Sequence, residues 1–439
     1  MSKTPKSLTT SIIVEKFVPG GFALGKISDP SLSENNKKIF LWNALPGEII
    51  SRVLITKAKS SYLEGVAEVI DSPSPLRVSP KDPCFLSTSP WQILKFSSEL
   101  EQKRLLVEES LREQKIPLET EVKNVVTDGA EWNYRNKMEY ALYWDKESES
   151  ISLAFHARGS HKKVPIESSS IERPEILARA KEIISRLNES HEPAYKYQSL
   201  LLRSNKQGIV SGGLLENNHP HPSFTPLTDT LLKRSYSYSP NGFFQINLSV
   251  YELALKQIKS HIKTSNILDL YSGVGTIGLS VAEESNNLTL VETNNDAFKE
   301  LEKNCEKRTN ARPVHAKSEE ALSYISPDQT VILDPPRAGC DKRLIEKLLE
   351  VRPKSIIYLS CNPSTQARDL SFLVSTLDSS DSSKNSTSGS SSLLSTLSPS
   401  KPHTSTSIST RPYKITSITP FNFFPKTPHI ENLVVLELQ

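Results

Sequence analysis

Cysteine is scarce in this chain of 439 residues. Its four thiols, Cys84, Cys305, Cys340 and Cys361, stand far apart with no secretory signal ahead of them, which argues against a disulfide framework and for a reducing, cytoplasmic setting. Long apolar runs are also missing, since none reaches the roughly 18 residues that a membrane helix needs. Nor is there an excess of one charge. The 53 basic and 50 acidic side chains leave +3, too little to identify a nucleic-acid partner from bulk charge, so any basic binding surface has to be local. Length, by contrast, excludes a single core: 439 residues point to two or three domains.

The first 71 residues read as five short strands, at 11–18, 21–27, 38–42, 48–56 and 62–70, broken by Pro19-Gly20-Gly21 and Pro46-Gly47. This spacing predicts a small β-barrel of the OB type. Lys38, Arg52, Lys57 and Lys59 are its candidate phosphate contacts, and Phe22 or Trp42 its candidate stacking surface. Residues 72–238 mix a charged helical stretch (97–114), the turn Tyr134-Arg135-Asn136-Lys137 and a second helix (176–188), a central α/β domain whose composition carries no chemistry. From 239 to 439 apolar strand-like runs alternate with helical ones, the pattern of a mostly parallel doubly wound sheet. Within it, 377–410 is nearly all Ser, Thr, Pro, Lys, Asn and Asp with isolated Leu, and is expected to be a disordered insert.

Three residues in the last third stand directly after, or at the end of, buried-strand patterns: Cys361 in Ser360-Cys361-Asn362-Pro363, Asp334 in Asp334-Pro335-Pro336-Arg337, and Glu292. Open α/β sheets bind ligands at such strand tips, so the three are expected to share a cleft with Cys361 as nucleophile. A free cysteine is otherwise most often a small buried hydrophobe. Gly273, Gly275 and Gly278 in Asp269-Leu270-Tyr271-Ser272-Gly273-Val274-Gly275-Thr276-Ile277-Gly278 fit a dinucleotide fingerprint by spacing. Asp269, however, is an anion poorly placed beside a pyrophosphate. It suits the sulfonium and amino group of S-adenosylmethionine, with Glu292 accepting from the ribose diol.

Methyltransferases that act on amino groups follow their two prolines with an aromatic residue, whereas this chain has Arg337, which favours a carbon acceptor. Carbon methylation of a pyrimidine needs a thiolate at C6 to make C5 nucleophilic, and then a base to remove the C5 proton. Glu431, just ahead of an apolar strand at 432–438, is the candidate base, and His429 is as apt to orient as to react.

These motifs, with Val14-Glu15-Lys16, Ala44-Leu45-Pro46-Gly47-Glu48, Phe243-Phe244-Gln245-Ile246-Asn247 and His429-Ile430-Glu431, resemble the bacterial RNA (uracil-5-)-methyltransferases, in the TRAM-containing branch that modifies 23S ribosomal RNA. The likeness covers nearly the whole chain apart from the Ser/Thr-rich insert. It implies a class I S-adenosylmethionine-dependent methyltransferase domain (239–439) behind a TRAM-like RNA-binding barrel (1–71) and a central α/β domain (72–238). It also implies cofactor and substrate positions at Gln245, Tyr271, Glu292 and Asp334, with Cys361 as nucleophile and Glu431 as base. Many relatives hold an iron-sulfur cluster through four cysteines. Here Cys84 is followed by Ser87-Thr88-Ser89 and later Ser168-Ser169-Ser170, so the cluster is expected to be absent and the region held by packing. Asn422 and Lys426 depart from the family's aspartate and less basic residue. The function implied is uridine C5 methylation by a cytoplasmic monomer on ribosomal RNA. The alternatives are a transfer RNA target, an RNA cytosine-C5 methyltransferase, or an inactive RNA-binding or folding factor.

Overall fold

The computed structural model describes residues 7–374 and 412–439, apart from 28, 33, 34, 118 and 221. The expected disordered insert, 377–410, lies outside the described residues. Strands β1 (Ser7–Phe17), β2 (Ala23–Ile27), β3 (Lys38–Trp42), β4 (Ile49–Ala58) and β5 (Tyr62–Ser72) close into a barrel in the order β1-β2-β3-β5-β4. Ile12, Val14, Ile39, Leu41, Val53 and Leu63 fill it, the inward half of an alternating pattern. Glu48 is fully buried at its end. Its carboxylate accepts from the amides of Leu45 (2.8 Å) and Ser74 (3.1 Å) and from Arg77 Nε (2.6 Å), fastening the chain that leaves the barrel.

A short helix α1 (Phe85–Thr88) and a long one α2 (Phe96–Glu113) lead to β6 (Lys137–Asp145), β7 (Ser150–His156), β8 (Lys163–Pro165), α3 (Pro174–Glu189), β9 (Tyr197–Ser204) and β10 (Val210–Glu216). The five strands form one sheet, β10-β9-β6-β7-β8, and α3 buries Ile176, Ala180 and Leu187 against it. A hairpin follows, β11 (Leu227–Leu231) and β12 (Arg234–Tyr238), whose Leu227, Leu231, Tyr236 and Tyr238 pack instead into the core of the next sheet.

That sheet is built from α4 (Leu248–Ser260), β13 (Asn266–Leu270), α5 (Thr276–Val281), β14 (Asn287–Glu292), α6 (Asn295–Cys305), β15 (Ala311–His315), β16 (Gln329–Leu333), α7 (Lys342–Val351), β17 (Ser355–Ser360), α8 (Pro363–Val374), β18 (Tyr413–Phe421) and β19 (Glu431–Leu438). Its strand order is β15-β14-β13-β16-β17-β19-β18, parallel except for β19, which runs antiparallel to both neighbours. Every residue of β16 and β17 is buried, as expected of parallel strands covered on both faces. The alternation divides them: Val331, Leu333, Ile356 and Tyr358 join α2, α7 and α8, whereas Ile332, Ile357 and Leu359 join α4 and α5. The chain order reverses between β13 and β16, which opens a crevice at their carboxyl ends. Among the described residues no helix is long and apolar enough to cross a membrane.

The region around Cys84 is packed against the core, with Cys84 on one cluster and Phe85, Trp91, Ile93 and Leu94 in another, and hydrogen bonds add to this packing. Buried Asp82 accepts from the amide (2.9 Å) and hydroxyl of Ser170 and from Gln92 Nε2 (2.8 Å). Gln92 in turn accepts from the amides of Lys81 and Asp82 and donates to Ser89 Oγ (2.7 Å). Short polar side chains here offer little apolar surface, so a satisfied polar network joins the two chain segments. Among the described residues no group of three or more His, Cys, Asp and Glu side chains is placed to hold a metal ion.

Candidate active site

Register places the candidates. Leu270 pairs with Val291 and with Leu333, and Leu333 with Tyr358, so Tyr271, Glu292 and Asp334 emerge together at one edge of the sheet. Ser360 pairs with Asn432 across the antiparallel β17–β19 ladder, which sets Cys361, one residue on, opposite Glu431.

After β13 the backbone turns sharply through Tyr271 (φ 62°), Gly273 (φ 57°) and Gly275 (φ 86°) into α5. Gly278 has to be glycine for another reason: a Cβ there would stand 2.7 Å from Asp269 Oδ2, the oxygen that accepts from the Gly278 amide at 2.8 Å. The other oxygen, Asp269 Oδ1, is buried with no hydrogen-bond partner among the described residues. Burial pushes the Asp269 carboxyl up to about 8, and the charges of Asp334 and Glu292 add to that. Glu292 uses both oxygens on backbone, accepting from the amides of Gly273 (2.8 Å) and Asn294 (2.6 Å), and so holds the glycine turn in place.

Because the folded state binds the Asp269 proton more tightly than the unfolded chain, Asp269 costs stability as pH rises from about 4 to about 8. Asp269→Asn is expected to be more stable than the parent at pH 8 by on the order of 2 kcal/mol, and equal to it at pH 4. Thermal melts at the two pH values check this. A variant less stable at pH 8 would mean the carboxylate is compensated.

Cys361 is half-buried in a cavity of 410 Å³ shared with Arg337, His429 and Ile430. Burial first, then Glu431 and Asp334, pushes its thiol up to about 11, and the hydrogen-bonded Arg337 guanidinium works against them. Burial and the nearby Asp334 hold Glu431 protonated well above the usual carboxylate range, again opposed by Arg337. Burial raises Asp334 to about 7. A thiol, two carboxyls and one cation thus act on one another here. The loop that carries Arg337 is fixed from α8, because its carbonyl accepts from Asn362 Nδ2 (3.0 Å) and Thr365 Oγ1 (3.1 Å).

Of the six residues singled out by sequence, Cys361, Asp334 and Glu431 act on one another, whereas Glu292, expected to share a cleft with Cys361 and Asp334, does not line the Cys361 cavity. Glu292 and Tyr271 flank the glycine turn, and Tyr271 lines a second hollow of 620 Å³ with Pro336, Cys340 and Phe372. Gln245 is buried on the loop before α4, and no hydrogen bond joins its side chain to the other five among the described residues. That loop is held by the Tyr134–Lys137 motif and β9. Asn136 donates to the Gln245 carbonyl (3.1 Å), Lys137 to those of Asn241 (3.1 Å) and Gly242 (3.2 Å), and Arg203 to those of Gly242 (3.0 Å) and Phe244.

Sequence reasoning missed a buried polar cluster that holds the loop before β19. The nitrogen Nζ of Lys103, fully buried on α2, donates to Glu99 Oε1 (2.9 Å), Asn422 Oδ1 (2.6 Å) and the Phe424 carbonyl (3.1 Å). Glu99 also accepts from Asn422 Nδ2 (3.1 Å) and the Lys426 amide (3.0 Å), and Lys426 pairs with Glu131 at 2.6 Å. Asn422 therefore gives and receives at once, which an aspartate could not do. The only sequence signal was an i,i+4 Glu–Lys pair, which ordinarily marks a solvated helix face.

The doubly wound sheet, with its glycine turn at the strand tips, has the fold of the class I S-adenosylmethionine-dependent methyltransferases. Proteins similar to this chain carry names that agree with that fold. A family model described as conserved hypothetical protein 95 matches residues 248–382. A Lactobacillus johnsonii protein named an uncharacterized RNA methyltransferase is 27% identical over 91% of this chain and 93% of its own length. A Thermosynechococcus vestitus protein with a name of the same kind is 23% identical, with 99% of each chain covered. Among solved structures, the Pyrococcus abyssi tRNA (uracil-54, C5)-methyltransferase in complex with S-adenosyl-L-homocysteine has a similar fold, with a TM-score of 0.67 and 24% identity over 97% of this chain and 99% of that one.

Proposed function

We propose that this protein methylates C5 of a uridine in RNA. The observation that carries the reading is the meeting of Cys361, Arg337, Asp334 and Glu431 at the tips of adjacent strands. S-adenosylmethionine fits the glycine turn, where the unpartnered Asp269 Oδ1 awaits a cationic donor. Tyr271, Glu292 and the glycine turn would hold it, and when bound it supplies an electrophilic methyl group. Cys361 gives its proton to solvent water, helped by the Arg337 guanidinium that stabilises the thiolate, and its sulfur bonds to uracil C6, so the C5–C6 double-bond electrons move toward O4 and C5 becomes nucleophilic. Glu431 has to be ionised first, which the Arg337 guanidinium favours against burial; after methylation its carboxylate takes the C5 proton, the C5–C6 double bond re-forms and the Cys361 thiolate leaves.

The barrel supports an RNA substrate. Phe22 stacks near Trp42 (4.3 Å between ring centroids), Arg158 lies over Trp42 (4.2 Å) and Lys57 over Tyr62 (5.6 Å), a row of aromatic faces edged by cations. Arg52 and Lys57 of the expected phosphate contacts form surface pairs with Glu68 and Glu64, which RNA would have to displace. By its resemblance to TRAM domains the barrel favours ribosomal RNA, and we take 23S ribosomal RNA as the target. A second reading, transfer RNA, follows the named substrate of the Pyrococcus abyssi enzyme. Mapping 5-methyluridine by mass in both RNA pools of a deletion strain decides it. Loss at one ribosomal position is expected, loss only from transfer RNA would favour the second reading, and no loss in either would refute both.

A further inference from the structure

The cavity around Cys361 is closed by parts of the chain far apart in sequence. Asn362 comes from the start of α8, Leu106 from α2 and Pro428 from the loop before β19. The remaining wall is Pro19 and Gly20, the β1–β2 turn of the N-terminal barrel. This turn is keyed into the catalytic loop at one point. Gly21 has φ +86°, and a Cβ on it would fall 2.1 Å from Pro428 Cβ, so the barrel backbone lies flat on the ring of a residue three positions before Glu431. The Gly21 carbonyl accepts from the buried Trp91 indole at 3.2 Å, and Trp91 packs on Phe17 of β1 with 4.7 Å between ring centroids. Gly20 differs from its neighbour. It is exposed at φ +92°, and a Cβ there would meet only Phe22 Cδ2, at 3.9 Å.

We propose that the β1–β2 turn is the outer wall of the slot through which the target nucleotide reaches Cys361, and that Gly20, by having no side chain, sets its width. The barrel is then part of the substrate site as well as a holder of RNA. A cavity of 410 Å³ is within the range of small-ligand pockets, roughly 300–1,000 Å³, and suits a single nucleotide drawn out of its RNA. Phe22, which follows the turn and is half-buried against Trp42, would then hold the chain on either side of the extruded residue. The inference rests on the uridine-methylation reading.

Its test uses full-length Gly20→Asn and Gly21→Ala, each matched to the same change at Gly47. That glycine belongs to the same barrel, has a similar φ of +85° and has nothing within 4 Å of its Cβ position, so the controls carry the backbone strain without the contact. Asparagine tolerates this backbone region better than most residues. Gly20→Asn is expected to raise KM for a 23S ribosomal or transfer RNA transcript about tenfold, with kcat and S-adenosylmethionine affinity within twofold of the parent. Gly21→Ala, which forces Pro428 away, should lower kcat about tenfold, and both Gly47 variants should behave as the parent. An unchanged KM in Gly20→Asn, or an equal change in Gly47→Asn, would overturn the proposal. If the parent methylates neither RNA, the function reading fails. The slot is then judged by binding of the same transcripts, which Gly20→Asn should weaken and Gly47→Asn should not.

Discussion

Cys361→Ala is expected to abolish both methyl transfer and any covalent RNA adduct, whereas Glu431→Gln should form the adduct, methylate it and fail to release it. Without sulfur addition, C5 of uracil never becomes nucleophilic. Without a base, the methylated ring keeps its C5 proton and the thiolate cannot leave. A denaturing gel with RNA and methyl-labelled cofactor should show a shifted, labelled band for Glu431→Gln and none for Cys361→Ala. Normal turnover by Cys361→Ala would exclude the covalent route. Normal turnover by Glu431→Gln would assign the proton to another group.

Lys103→Met should be nearly as damaging, although its side chain lies away from Cys361, beneath the loop before β19. It would leave the Glu99 carboxylate buried without its cation, a loss of about 3–5 kcal/mol for a broken buried pair. It would also release Asn422 and the Phe424 carbonyl, two of the fixings of the chain that presents Glu431. The expected outcome is a large fall in melting temperature, and turnover at least tenfold below the parent even where the variant is folded. Adding Glu99→Gln should restore part of the stability, because the orphaned charge is gone. If Lys103→Met melts and turns over like the parent, the buried pair neither holds the loop nor matters to it.

The contrast between these two predictions shows what could be read in advance. Cys361, Asp334 and Glu431 were legible because each adjoins a continuous apolar run that only a buried strand explains, and the last two flank prolines or a strand start. Those runs also gave the doubly wound sheet, while Pro19-Gly20-Gly21 and Pro46-Gly47 marked out the barrel. Glu99 and Lys103 were not legible. On an 18-residue helix rich in charge they read as a solvated pair, and what makes them buried is Asn422, 319 positions beyond Lys103. The Asp82–Gln92–Ser170 network was hidden for the same reason: Ser170 is 88 residues from Asp82. Phe243 and Phe244 show the limit at short range. Two adjacent phenylalanines give no hint that Phe244 stacks under Tyr238 at 3.9 Å while Phe243 is 72% exposed.

The long span between α2 and the loop before β19 also orders the protein's own assembly. Closing loops of this size is slow compared with forming local helices and hairpins. The barrel, the central sheet and most of the parallel strands can form as the chain leaves the ribosome, yet β19 supplies the strand that pairs with β17 and begins with the proposed base itself. Lys103 and Glu99 wait for partners 319 and 323 positions away. The thiol-bearing edge therefore leaves the ribosome before the carboxylate that faces it. A nascent chain, or one truncated before Glu431, could display Cys361 without the proposed means of releasing a modified RNA, so the enzyme becomes competent to turn over only when its last strand is in place.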